Sequence, residues 1–255
     1  MEFTVIIPAR YASSRFPGKM LADIQGKPMI QHVYDRSRLS NAKQVVIATD
    51  DERIASVARD FGAHVCLTKD SHPSGTDRLQ EVVSMLGLAD TEIVVNVQGD
   101  EPLIPPSLIN QVASNLAGQS VASIATLSEK ITEIETLLNP GNVKVLADIN
   151  NLAMYFSRAP IPWPRDAFAN TQPNVLPDNF SWQRHIGIYA YKVSLLNKYV
   201  NWAPAKIEET ECLEQLRAMW YGERIHVDEA VESSAAGIDT PEDLHKLIQY
   251  LSSIH

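Results

Sequence analysis

Strand-like and helix-like segments alternate four times between Phe3 and Leu116. Phe3–Pro8, Gln44–Thr49, His64–Leu67 and Glu92–Val97 are short, largely apolar runs and read as strands. Pro28–Leu39, Asp51–Phe61, Thr76–Leu86 and Pro106–Leu116 space their apolar residues as helices do, with Ile30, Val33 and Tyr34 on one side of the first. Strands alternating with helices of this length predict right-handed βαβ units. The expected fold class is therefore α/β, a doubly wound and mostly parallel mixed sheet.

The pattern loosens after Val121. Val143–Ala147, Ala153–Phe156 and Ile186–Tyr191 look like strands, and Ala159–Ser181, rich in Pro, Asn and Asp, reads as a long loop or flap. Helix Glu208–Tyr221, strand Ile225–Val227 and helix Pro241–Leu251 close the chain. There is no repeat, low-complexity tract or obvious linker. At 255 residues, 45% apolar and 21% charged, residues 1–255 read as one domain with a smaller inserted subregion, a flap or dimer arm, around 150–190.

The loop after the first strand carries the strongest chemical signal. Arg10, Arg15 and Lys19 share it with Ser13, Ser14 and Gly18, and no acid stands between Ala9 and Ala22, although the whole chain has a formal charge of −9. A cationic loop at the carboxyl end of the first strand is where open α/β sheets hold phosphates. Charges more than about 8 Å apart are largely screened at physiological salt, so a local basic loop can act within an acidic chain. That acidity argues against general nucleic-acid binding, which needs cations over a whole face. The loop is not a Walker A motif: Met20, not Ser or Thr, follows Gly18-Lys19. Any metal ligands must come from elsewhere.

Asn96-Val-Gln-Gly-Asp-Glu-Pro102 follows the fourth strand and should face the same crevice. Asp100 is suited to a hard cation and Gln98 offers an amide donor and acceptor. Thr240, Pro241 and Asp243 make a capping box, which leaves Asp239 open to two readings, a second metal carboxylate or a solvated residue before the cap. Ser74-Gly-Thr-Asp-Arg78 opens a helix whose amides, with Arg78, suit an anion, although capping by Ser74 or Thr76 accounts for part of it. Arg158 follows one strand, and His185 and Tyr189 share a face of another. Glu214 lies opposite the stripe Cys212, Leu213, Leu216, Met219 and Trp220, where surface and cleft are equally allowed. Cys66 and Cys212 make neither a disulfide framework nor a zinc site and read as buried thiols in a reducing cytoplasm. No apolar run approaches the roughly 18 residues of a membrane span, and no basic leader precedes the first strand.

These segments together resemble the 3-deoxy-D-manno-octulosonate cytidylyltransferases, the CMP-Kdo synthetases. The resemblance runs in order through Pro8–Lys19, Gly26–Ile30, Ala48–Asp51, Ser74–Arg78, Asn96–Pro102, Tyr155–Arg158, His185–Tyr191, Leu213–Arg217 and Asp239–Leu244. It implies a Rossmann-like nucleotidyltransferase that moves CMP from CTP to the anomeric hydroxyl of a keto-sugar acid, with Mg2+ as cofactor and a homodimer as the assembly. Arg10, Ser13, Arg15 and Lys19 would hold the nucleotide, with Arg78 and Gln98 beside them. Lys19, Arg15 and Asp100 would carry the chemistry, and Asp100 and Asp239 the metal. Gln98, Arg158, His185, Tyr189, Glu214 and Gln215 would line the sugar pocket, Arg158 facing the carboxylate. Met20 departs from the Pro or Val usual after the lysine. The 8-amino form of the sugar and sialic acid are alternative acceptors. A uridylyl- or thymidylyltransferase would open with a Gly-rich loop that is missing here, and a non-catalytic nucleotide-binding module has little need for paired acids.

Overall fold

Val5, Ile6 and Ile7 are fully buried, so the first apolar run is covered on both faces, as a central parallel strand must be. The computed structural model describes residues 1–13, 15–72, 74–169, 175–178, 180–235 and 237–253. The chain runs through β1 (Phe3–Ala9), a short 3-10 helix (Lys19–Leu21), β2 (Asp23–Ile24), β3 (Lys27–Pro28), α1 (Met29–Arg38), β4 (Gln44–Thr49), α2 (Glu52–Asp60), β5 (His64–Leu67) and α3 (Gly75–Met85). It continues through β6 (Ile93–Asn96), α4 (Pro106–Ala117), β7 (Ile124–Lys130), α5 (Ile134–Leu138), β8 (Lys144–Ala147) and β9 (Ala153–Ser157). Last come β10 (Gln183–Lys192), α6 (Val193–Tyr199), α7 (Lys206–Glu211), α8 (Gln215–Trp220), β11 (Ile225–Glu229) and α9 (Pro241–Ser253).

The main sheet has strand order β11-β7-β10-β6-β1-β4-β5, with β8 pairing to β10 and β9 to β8. Along this path only β10 runs against the others, antiparallel to both β6 and β7. Growth proceeds from β1 through β4 to β5 on one side and jumps to β6 on the other, so the switch point lies between β1 and β6. One face buries Val5 and Ile7 with Ile30 and Val33 of α1, Ile54 of α2 and Val112 of α4. The opposite face buries Ile6 with Leu79 and Val82 of α3, Leu196 of α6 and Leu216 of α8. Helices thus cover both faces, and the doubly wound mixed sheet is the architecture observed.

The alternating half follows the sequence closely, with β4 and β5 at the expected bounds and α1, α2, α3, α4 and β6 within a residue or so. Later elements differ. The expected helix Glu208–Tyr221 is two helices, α7 and α8, broken at Cys212, whose φ is 52°. No glycine or proline marks the break. It is held by tertiary contacts: Arg217 donates to Glu208 through Nε (2.7 Å) and an Nη (2.6 Å), and Leu213 N–H donates to Glu208 O. Strand β7 and helices α5 and α6 had no counterpart in the sequence reading. The polar Thr126 and Ser128 of β7 hide its strand character, since carbonyls of neighbouring strands satisfy their hydroxyls. Neither thiol pairs; Cys66 is buried as expected, whereas Cys212 is exposed because the break turns it outward.

The expected flap is tethered. Part of it, 170–174 and 179, lies outside the described residues. Trp182 is 1% exposed, donates from Nε1 to Pro162 O at 3.0 Å, and packs with Phe168, Ile131, Ile134 and Leu137 in a small separate core. Truncating a buried Trp leaves a large void, so Trp182→Ala should lower unfolding free energy by about 3 kcal/mol in denaturant titrations. A loss near zero would mean that this core is not packed in solution.

Candidate active site

The carboxyl ends of β1 and β6 open into a cleft of about 620 Å³, a size suited to a small ligand. Antiparallel β10 makes its third wall. Tyr189 is paired with Asn96, the last residue of β6, so the residues before it, Gly187 and His185, run past the end of β6 and line the cleft. The loops after β1 and β6 touch here. A Cβ on Gly99 would lie 2.9 Å from Pro8 O and 2.9 Å from Met20 Sδ, so any larger residue would push the two walls apart.

The loop after β1 is folded onto itself. Ser13 N–H and Gly18 N–H both donate to Tyr11 O, and Gly18 takes a left-handed φ of 72°. Ser14 lies outside the described residues. The guanidinium of Arg53 stacks on the Tyr11 ring, 3.3 Å from its centroid. Arg10, Ser13, Arg15 and Lys19 line one side of the cleft. Arg10 spends one donor on His72 O at 3.2 Å, and Arg15 is mostly exposed. Lys19 is only 6% exposed, and its ammonium donates to Asp100 Oδ2 at 2.6 Å, Ile238 O at 3.0 Å and Asp239 Oδ1 at 3.4 Å. Arg15 reaches the same Asp239 oxygen at 2.9 Å.

Asp239 therefore belongs to the cleft, while the next residues form the expected cap: Asp243 Oδ2 accepts from Thr240 N–H and Asp239 N–H. Asp100 and Asp239 converge on one cationic point, the arrangement Mg2+ accepts when substrate phosphates and water complete its shell. Among the described residues no cluster of three or more His, Cys, Asp and Glu side chains exists, so a protein-only metal cage is not built here.

The far side of the cleft is polar and largely uncharged. His185, Tyr189, Tyr191, Thr76, Asn96, Gln98, Glu214 and Gln215 line it. Burial, with a smaller push from Arg184, lowers the His185 imidazole to about 3, so it is neutral at working pH. Burial raises the phenols of Tyr189 and Tyr191, which stay protonated. Ser74 caps α3, leaving Thr76 to donate to Glu214 Oε2 at 3.0 Å. The side-chain atoms Asn96 Oδ1 and Gln215 Nε2 are buried and have no hydrogen-bond partner among the described residues, which equips this wall for a polar ligand. Thr76, Asn96 and Tyr191 lie in runs that the sequence singles out but are not among its expected site residues, because a threonine in a capping run and polar residues in a strand look structural.

The chain matches the cytidylyltransferase family model over residues 4–225. It is 61% identical over 247 residues to a 3-deoxy-manno-octulosonate cytidylyltransferase of Cellvibrio japonicus, covering 97% of each chain. A protein of the same name from Pseudomonas syringae pv. tomato is 57% identical over 251 residues, 98% of each. This chain belongs to the cytidylyltransferase family. Its structure superposes on that of a CMP:2-keto-3-deoxy-manno-octonic acid synthetase complexed with CTP with a TM-score of 0.90, at 39% identity and full coverage of both chains.

Two arginines of this cytidylyltransferase are not where the sequence suggested. Arg78, expected at the nucleotide, is fully buried away from the cleft, where it donates to Asp50 Oδ2 at 2.7 Å and to the Thr68 hydroxyl. It faces inward because it sits among the core positions Leu79, Val82 and Val83 of α3. Arg158, expected at the sugar carboxylate, instead donates to the carbonyls of Glu211 (2.7 Å) and Pro140 (3.0 Å) and does not line the cleft. Its fork is engaged by backbone beside the α7–α8 break. The arginine and lysine side chains that line the cleft are thus Arg10, Arg15 and Lys19.

Glu101, next to Asp100, adds a titrating group. Removal from water, and secondarily the Asp100 carboxylate, push its carboxyl up to about 8, against the pull of Arg184. Between its ordinary 4.5 and about 8 the folded protein retains a proton that the unfolded chain has released, so this group's contribution to stability falls as pH rises through that window. Glu101→Gln imitates the protonated form. Its stability relative to the parent should rise from about pH 5 to about pH 9 in thermal melts. A gap that stays constant with pH would mean that the carboxyl is not held neutral.

Proposed function

We propose that this protein transfers CMP from CTP to the anomeric hydroxyl of 3-deoxy-D-manno-octulosonate, releasing pyrophosphate. The observation that carries the reading is a switch-point cleft with one cation-bearing wall and one polar wall without Lys or Arg, in a chain matched end to end by enzymes of that name. The cations suit a triphosphate. The hydrogen-bonding wall, with the Glu214 carboxylate as an acceptor, suits the hydroxyls of a sugar acid. The 8-amino sugar and sialic acid are less favoured, since the curated relatives carry the 3-deoxy-manno-octulosonate name.

Charge decides the chemistry. An incoming hydroxyl approaches the α-phosphorus only once the triphosphate's negative charge is offset, and charge then grows on the departing pyrophosphate. Arg10, Arg15 and Lys19 offset that charge from one side of the cleft. Asp100 and Asp239 would hold Mg2+, which supplies further neutralisation and lowers the pKa of the attacking hydroxyl. With nucleotide present, the phosphates compete with Asp100 and Asp239 for Lys19 and Arg15, so the same carboxylates become available to the metal. Gln98, His185, Tyr189, Glu214 and Gln215 orient the sugar acid through hydrogen bonds, and the narrow contact at Gly99 holds the loops after β1 and β6 together.

The same reading includes a homodimer and a cytoplasmic role in lipopolysaccharide synthesis. Ile149 and Met154, at the free β8–β9 edge, are exposed and offer apolar surface to a second copy. Among the described residues no helix is long and apolar enough to cross a membrane, and both cysteines are free thiols.

Pyrophosphate release across CTP, UTP and ATP, each with 3-deoxy-D-manno-octulosonate, its 8-amino analogue or sialic acid, tests the reading. Turnover should require CTP and the first acceptor; CTP-dependent stabilisation without pyrophosphate would point to a binding module. Asp100→Ala should lower kcat by about a hundredfold or more while CTP still binds. Near-parental turnover with magnesium present would remove Asp100 from the chemistry.

A further inference from the structure

Strand β10 does not follow β7 evenly. Ile186 is paired with Leu127, yet the next residue of β7, Thr126, is paired with Tyr189, so Gly187 and Ile188 bulge out of the ladder. Thr126 is fully buried beneath this bulge. Its hydroxyl oxygen lies 2.7 Å from Ile188 O, 3.1 Å from Ile186 O and 3.0 Å from His185 Nε2.

A hydroxyl has one proton to give. Two oxygens 2.7 Å apart repel unless a proton lies between them, and a carbonyl has none to offer. The Thr126 proton therefore goes to a bulge carbonyl, and the third neighbour must donate to Thr126. That neighbour is His185 Nε2, which must carry N–H. In a neutral imidazole the other nitrogen is then a bare lone pair. Nδ1 has no hydrogen-bond partner among the described residues, and the ring, packed edge-on to Phe156 and tilted against Tyr189 with centroids 5.2 Å away in each case, lines the cleft.

We infer that Thr126 is a positioning residue that locks His185 in the Nε2–H tautomer, so that Nδ1 accepts a hydrogen bond from a hydroxyl of the sugar acid. The second half of this statement rests on the proposed function. The site would select a neutral O–H donor at that spot and repel a carboxylate oxygen there. Thr126 itself touches no substrate.

The tautomer is readable without substrate. In protein labelled with ¹⁵N-histidine, long-range ¹H–¹⁵N spectra at neutral pH should show one ring with protonated Nε2 and bare Nδ1, assigned by its disappearance in His185→Gln. Thr126→Ser should keep that pattern. Thr126→Val should lose it and raise KM for 3-deoxy-D-manno-octulosonate by about tenfold, with KM for CTP little changed and the serine variant near parental values. If the valine variant fails to fold, the parental and serine spectra still decide the tautomer. A protonated Nδ1 in the parent, or a valine variant with unchanged tautomer and unchanged KM, overturns the inference. A protein that shows the Nε2–H ring but does not use this sugar acid leaves the Thr126–His185 lock standing and removes the functional reading.

Discussion

One ammonium group joins three distant parts of the chain. Lys19 Nζ binds the loop after β6 through Asp100 and the segment before α9 through Ile238 O and Asp239. A nearly buried charge is tolerable only when its donors are satisfied and opposite charge is near. Both conditions hold here, and they require the first loop, the β6 loop and the C-terminal segment to meet. Remove the charge and Asp100 loses its ion-pair partner, while Asp239 keeps the exposed Arg15. The cleft is thus stabilised by the same electrostatics that it would offer a triphosphate and its metal.

The sheet separates two tasks. Parallel strands β1 and β6 deliver backbone turns and charge to one wall, as the switch point of a doubly wound sheet does. Antiparallel β10 delivers side chains from its N-terminal half to the other wall, because running backwards carries it beyond the end of β6 while β7 still pairs with it. The two helices that follow complete that wall. The Arg217–Glu208 pair bends the chain at Cys212, and the bend turns Glu214 and Gln215 to the cleft while Leu213 and Leu216 stay in the core.

Local signals were enough for the alternating half, since periodicity, capping residues and strand-end loops there coincide with the tertiary structure. The cationic loop and Asp100 were legible as cleft residues because acids and bases at strand ends have few structural reasons to be there, whereas Asp239, just before a helix cap, allows two readings from sequence alone. Arg78 and Arg158 misled because an arginine in a phosphate-like or carboxylate-like context looks the same whether its fork meets a ligand, a buried aspartate or backbone carbonyls. The break at Cys212 and the identity of β7 depend on partners far away in sequence, so no local pattern announces them. Thr76, Asn96 and Tyr191 become site residues only through neighbours more than ninety positions distant or on adjoining strands, as when Thr76 meets Glu214.

The bulge in β10 also bears on the register of this strand. Side chains alternate between faces with period two, and the two extra residues keep His185 and Tyr189 on one face, opposite Ser128 and Thr126. A one-residue slip of Gln183–Ile186 against β7 would send His185 into the opposite layer. Register along this short stretch therefore decides whether the cleft has its imidazole at all.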